Sequence, residues 1–270
     1  MSEIEAIILG LVQGLTEFLP VSSSGHLTIF KEFLGIDSNN LSFEVAVHAA
    51  TVLSTLVVFW REIAKLFAGC FCKGMNKEKT YVFMIIVSMV PVFIVGMFFK
   101  DEVEAIFGSG LMIVGCMLLV TAILLSLSEI LTKKQLALSK VSRPLCFKSA
   151  FLMGCAQALA VLPGLSRSGS TISTGLMLGV KKQDVAQFSF LMVIIPILGE
   201  AFLELVGGDF TSTENSINTL PLIIGFITAF LSGLFACKVM INLVKRAKLW
   251  GFAIYCCLMG IFCIIYSFLS

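Results

Sequence analysis

The sequence predicts an all-α polytopic membrane protein: six transmembrane helices plus two re-entrant helical hairpins in an inverted-topology repeat, with both termini outside. Three observations carry that expectation. Of the 270 residues, 58% are apolar and only 13% are charged, where soluble domains carry roughly 25% charge. The apolar residues come in long blocks, and the mean hydropathy is +1.01. The basic residues fall in alternate connections, and one polar stretch recurs later in the chain.

The elements follow in order. The opening "MSEIEAIILG" is acidic before its apolar run, whereas a secretory leader has a basic start, so it reads as mature structure. Residues 4–19 and 22–35 are apolar but broken by Pro20 and three serines. Neither piece reaches the roughly 20 apolar residues that a spanning helix needs. Non-helical backbone at membrane depth is tolerated only where it is buried in protein or lines a cavity, so the pair reads as a re-entrant hairpin. Spans are expected at 43–60, 81–99 and 108–131. Residues 147–162 and 168–180, broken at Pro163-Gly164, read as a second hairpin, followed by spans at 184–206, 220–243 and 250–269.

Charge placement sets the orientation. The 61–80 loop carries Arg61, Lys65, Lys73, Lys77 and Lys79. The 132–148 loop carries Lys133, Lys134, Lys140, Arg143 and Lys148, and the 244–249 loop carries Lys245, Arg246 and Lys248. Lys181 and Lys182 follow the second hairpin. The opposite connections, "KDEVEA" at 100–105 and "GGDFTSTENS" at 207–216, are acidic or neutral. With the basic side inside, the first hairpin enters from outside and the second from inside. Lys238 reads as snorkelling from its span. Cys116, Cys155, Cys237, Cys256, Cys257 and Cys263 lie in apolar runs and read as small hydrophobes. Cys70 and Cys72 have no His or second Cys pair beside them, so they do not read as a metal site.

Sliding the chain by 144 residues sets "QGLTEFLPVSSSGH" on "QALAVLPGLSRSGS" without a gap. Each half, 1–135 and 145–270, is then a broken hairpin followed by three spans within a single membrane domain. In such repeats the site lies near the midplane, where broken-helix N-termini converge.

The polar clusters suit anion chemistry. Gln13 and Glu17 share a helical face. Pro20 ends their helix, and Ser22, Ser23 and Ser24 offer caps to the next, whose first turn holds Gly25 and His26. In the second hairpin Ser166 or Ser168 caps, Gly169 follows, and Thr171 lies one turn further in. A glycine-lined helix N-terminus is an anion site, and Arg167 adds a fork of donors suited to phosphate. Ser23, His26 and Glu17 suit phosphoryl transfer or general base work. An ionisable group at membrane depth is a functional candidate by default. Each also has a plainer role: the serines as caps, Glu17 as a partner for unwound backbone, His26 as a hydrogen-bonded core side chain, Arg167 as a clamp on carbonyls. His48 reads as structural or as support behind the site. Glu200 and Glu204 read equally as interfacial or functional.

"QGLTEFLPVSSSGHL" and "PGLSRSGSTI" resemble the two signature motifs of the undecaprenyl-diphosphatase (bacitracin-resistance) family, and "FEVAVHAATVLSTLVVFWRE" at 43–62 resembles its following segment. The resemblance covers essentially the whole chain. It implies a bacterial plasma-membrane phosphatase, working on the outer face, that converts undecaprenyl diphosphate to the monophosphate carrier of cell-wall synthesis. It implies a divalent cation, Mg²⁺ or Ca²⁺, held by Glu17 and Gln13. The family's first motif takes Glu or Gln at the leading position, and Gln13 leaves Glu17 as the motif's only carboxylate. Glu17, Ser23, His26 and Arg167 are then expected to be catalytic. Gln13, Ser22, Ser166, Ser168, Gly169 and Thr171 are expected to bind substrate. The expected partners are a polyprenyl diphosphate and membrane lipid, with no nucleic acid, and self-association is left open. The expected mechanism has Ser23 attack the terminal phosphorus with help from His26; attack by water or by His26 itself stays open. The rival class is a carrier, which would bind the same headgroup without cleaving it.

Overall fold

The computed structural model describes residues 1–36, 41–99, 102, 106, 110–138, 142–199, 219–246 and 249–269. Its helices are α1 (Glu3–Phe18), α2 (Ser23–Leu34), α3 (Leu41–Val58), α4 (Trp60–Cys70), α5 (Lys77–Phe98), α6 (Gly110–Ala137), α7 (Phe147–Leu159), α8 (Arg167–Met177), α9 (Lys182–Met192), α10 (Thr219–Arg246) and α11 (Trp250–Leu269). Among the described residues there is no sheet, only an isolated bridge between Arg143 and Val180. Five stretches among the described residues are long and apolar enough to cross a membrane: Lys77–Phe98, Gly110–Gln135, Lys182–Gly199, Thr219–Val244 and Trp250–Leu269. A bent pair, Phe43–Val58 with Trp60–Cys70, makes a sixth when taken as one span. The protein is thus a multi-pass, all-helical membrane protein.

Two boundaries differ from the sequence expectation. The expected span at 43–60 stops at Val58, bends by 75° and continues as α4. The expected loop at 61–80 is therefore mostly helix, and α5 starts at Lys77, where the Asn76 side chain accepts the Lys79 N–H (2.7 Å). Average hydropathy misses α4 because its polar and apolar residues lie on different faces of an amphipathic helix. Similarly, α6 runs on to Ala137, carrying Lys133 out of the apolar zone to sit over the Trp250 ring (5.8 Å). Lys238 is exposed. The connection at 207–216, most of that at 100–105, and Glu200, Glu204, Lys140 and Lys248 lie outside the described residues.

Two helical pairs with broken connections form the centre. α1 packs on α2, α3 and α10, and α7 packs on α5 and α8, with α8 against α6. Both pairs are seated through glycine. Apolar lipid gives helices no hydrophobic reason to associate, so close backbone approach between small residues does that work. Gly10 and Gly14 of α1 meet Gly225, Ala229 and Ser232 of α10, and a Cβ on Gly14 would overlap Ser232 Oγ and the Ala229 carbonyl. Gly154 of α7 meets the Ser88 carbonyl of α5 in the same way. Gly14→Val is expected to lower the unfolding midpoint in detergent by about 5 °C, since overpacking costs about 1–3 kcal/mol and each kcal/mol shifts a chain of this size by about 2–4 °C. An unchanged midpoint would contradict this seating. Around the pairs, Phe18, Phe59, Leu118, Met153, Ile172 and Phe188 belong to one buried apolar cluster.

Candidate active site

Pro20 ends α1, and Leu19 is already extended (φ −74°, ψ 145°), as a residue near a following proline tends to be. Ser22 then turns the chain through the left-handed region (φ 69°), the sole non-glycine to do so among the described residues. Such backbone costs about 1–3 kcal/mol and persists only where its surroundings hold it. Here Ser22 Oγ accepts the Gly25 N–H (3.2 Å) as the cap of α2. The second hairpin makes its turn with Gly164 at φ 88°, where no Cβ opposes it. Ser166 Oγ accepts the Gly169 N–H (3.0 Å) to cap α8. Ser23 and Arg167 are consequently the first residues of their helices, where unpaired N–H groups and the positive dipole end face outward.

The two turns meet. Ser168 Oγ donates to the Leu19 carbonyl (3.0 Å), and Arg167 Nη2 stands 3.5 Å from Glu17 Oε1. Glu17 Oε2 accepts from Gln13 Nε2 (2.9 Å) and from Ser23 Oγ (2.6 Å). His48 Nε2 reaches within 3.7 Å of the same oxygen. The His48 Nδ1–H donates to the Glu44 carbonyl (2.8 Å), which leaves Nε2 for the site. Side chains from α1, α2, α3 and α8 thus converge on one carboxylate that is only 9% exposed. Burying a charge is costly unless it is paired and hydrogen-bonded, and Glu17 is both.

Thr171, one turn into α8, braces this arrangement. Its Oγ1 donates to the Arg167 carbonyl (2.9 Å) and accepts from Ser189 Oγ (2.5 Å). Glu17, Arg167, Ser168 and Thr171 line one cleft together with Thr51, Thr55 and Ser189. The rest of the lining is apolar: Phe18, Val52, Phe190, Val193 and Ile197. The cleft thus has one polar and one apolar wall.

His26, expected to assist Ser23, has other hydrogen-bond partners here. Its Nδ1–H donates to the Ser22 carbonyl (2.7 Å), and its Nε2 accepts from the Tyr255 hydroxyl (2.6 Å). The two rings stack at 11°. Both ring nitrogens are occupied, and the Ser23 hydroxyl donates to Glu17. The Gly169 N–H donates to Ser166 Oγ. Ser22 and Ser166 are helix caps. His48, beside Glu17, and Thr51, Thr55 and Ser189, which line the cleft, lie outside the two motifs. A signal for three of them existed: Glu44, His48, Thr51 and Thr55 recur at helical spacing along one face of an otherwise apolar span.

The residues also fit a hard divalent cation in part. Among the described residues no three His, Cys, Asp or Glu side chains form a metal cluster. Mg²⁺ sites, however, commonly use one or two carboxylates, with substrate phosphates completing the shell. Gln13 Oε1 is buried and has no hydrogen-bond partner among the described residues. With the Glu17 carboxylate beside it, this oxygen supplies the kind of ligand such an ion takes.

Comparison with known proteins gives one consistent result. The profile of the bacitracin resistance protein BacA family matches residues 6–262. The chain is 57% identical to an undecaprenyl-diphosphatase of Bacteroides fragilis, with 99% of each chain covered. It is 58% identical to one of Bacteroides thetaiotaomicron, over 98% of this chain and 99% of the relative. A third, from Parabacteroides distasonis, is 56% identical over 97% of each. On the strength of these full-length matches, the chain belongs to the bacitracin resistance protein BacA family.

Proposed function

We propose that this protein hydrolyses undecaprenyl diphosphate to undecaprenyl phosphate and inorganic phosphate, at the cleft around Glu17. The observation that carries the reading is the convergence of Ser23, Arg167 and Gln13 on one buried carboxylate at two helix N-termini. Arg167 and the N–H groups opening α2 and α8 bind the diphosphate and hold the charge that develops on the terminal phosphoryl oxygens. Glu17 Oε2 takes the Ser23 Oγ proton as Oγ bonds to the terminal phosphorus, and the bridging P–O bond breaks to release undecaprenyl phosphate. Water then attacks the phosphoserine, and Glu17 returns the proton to Oγ as inorganic phosphate leaves. Thr171 keeps Arg167 in place through its carbonyl. Glu17 and Gln13 would hold a divalent cation, which supplies charge neutralisation at the phosphate oxygens. The apolar lining carries the first part of the prenyl chain.

The organisation we propose around this cleft is an inverted repeat of 1–135 and 145–270, with both pairs re-entrant, both termini outside and the cleft open to the outer face. It is supported by the charge pattern of the connections, by Ser22 and Ser166 making the same cap, and by Ser23 and Arg167 occupying equivalent positions. The test is phosphate release by purified protein in detergent with Mg²⁺ or Ca²⁺, with and without EDTA. Ser23→Ala is expected to lower turnover at least about 100-fold, the lower end of what a positioned proton-transfer pair contributes. Near-normal turnover would remove the serine step and leave direct attack by water. No release by folded wild-type protein would turn the cleft into a carrier's binding site.

A further inference from the structure

A second cleft lies beyond an aromatic layer behind the first. Phe18 and Phe190 line the first cleft, and Phe59 packs on Phe190 (ring centroids 6.2 Å apart). Next along α9, Phe188 packs on Tyr81 (5.7 Å), and Tyr81 lines the second cleft. The two clefts share no lining residue.

The second cleft, of 430 Å³, opens between α4, the start of α5 and Gln187 of α9. Arg61 and Lys65 of α4 and Lys77 of α5 bring three cations to it, against the carboxylates of Glu62 and Glu78. Lys65 Nζ is 3.6 Å from Glu78 Oε1. Arg61 and Lys77 have no ion-pair partner among the described residues, so the residues lining the cleft carry three cations against two carboxylates, with Asp184 near the Tyr81 hydroxyl. The Tyr81 hydroxyl is buried and has no hydrogen-bond partner among the described residues. Buried polar atoms are nearly always hydrogen-bonded, so this donor points to an acceptor brought by a ligand.

α4 sets the depth of the cleft. Trp60, Phe67 and Phe71 lie on one face and are 67%, 68% and 75% exposed, while Arg61 and Lys65 lie on the flank that lines the cleft. Helices with an aromatic face and a basic face lie in the plane of the membrane interface. The 75° bend sets α4 at a steep angle to α3. We propose that this cleft binds the phosphate headgroup of an anionic phospholipid, with Arg61, Lys65 and Lys77 as its cations and the Tyr81 hydroxyl as its neutral donor. The acyl chains lie along Trp60, Phe67 and Phe71. The proposal does not depend on the hydrolytic reaction.

The test uses delipidated full-length protein in neutral detergent and native mass spectrometry with phosphatidylglycerol or phosphatidylcholine at equal concentration. Wild type is expected to retain phosphatidylglycerol at least about tenfold better, as expected of several basic residues near the surface. The combined Arg61→Gln, Lys65→Gln, Lys77→Gln variant is expected to lose the preference. Tyr81→Phe is expected to weaken it several-fold. An unchanged unfolding midpoint identifies the variants as folded. Equal retention of the two lipids by wild type, or an undiminished preference in the folded triple variant, overturns the proposal. Millimolar inorganic phosphate is expected to leave the bound lipid in place; displacement would make this a free-anion site and overturn the lipid assignment.

Discussion

Arg167→Ala is expected to lower phosphate release from undecaprenyl diphosphate by about 100- to 1,000-fold, the usual loss when a fixed donor to developing charge is removed. Arg167 stands at the first position of α8, 3.5 Å from Glu17 Oε1. Its backbone carbonyl accepts from Thr171, which is bonded in turn to Ser189, so the first turn of α8 that carries Arg167 is held in place. Arg167→Lys keeps the charge but loses the planar fork that matches two phosphate oxygens, and an intermediate rate is expected. Steady-state phosphate release at saturating substrate is the measurement. A rate within threefold of wild type for a folded Arg167→Ala protein would remove the second hairpin from the reaction.

Glu17→Gln is expected to have an effect at least as large, about 1,000-fold or more, because one substitution removes two functions. The carboxylate accepts the Ser23 hydroxyl at 2.6 Å and faces Arg167; an amide is neutral and cannot take the proton. A positioned base contributes about 100- to 10,000-fold, and losing the charge also releases Arg167 from its rest position. The variant is nearly isosteric, so the cleft should keep its shape and the unfolding midpoint should stay close to wild type. Loss of activity without loss of fold separates a reacting group from a structural one. If Glu17→Gln turned over normally, Ser23 would need another base, and His48, whose Nε2 is 3.7 Å from Glu17, is the side chain to test next by His48→Gln.

Much of this was legible in the sequence, for local reasons. Apolar block length and low charge are properties of single segments, so the multi-pass helical class could be read from them. The Pro20 and Pro163-Gly164 breaks, with a serine after each, are likewise local, and the helices stop and restart there. Amphipathic α4 was hidden because a hydropathy average discards direction around the helix axis.

Within the site, sequence and structure divide along a physical line. Residue types and spacing determined the ingredients: a carboxylate one turn after an amide, a serine and an arginine each opening a helix, and glycines that permit close approach. Which ingredient faces which depends on contacts between segments far apart in the chain. His26 is three residues from Ser23, yet Tyr255 of α11 takes its free nitrogen. His48 looked peripheral, yet the packing of α3 on α1 brings it to Glu17. Sequence spacing fixes direction only within one helix; partners across helices are chosen by packing, which here rests on glycine contacts between α1 and α10 and between α7 and α5.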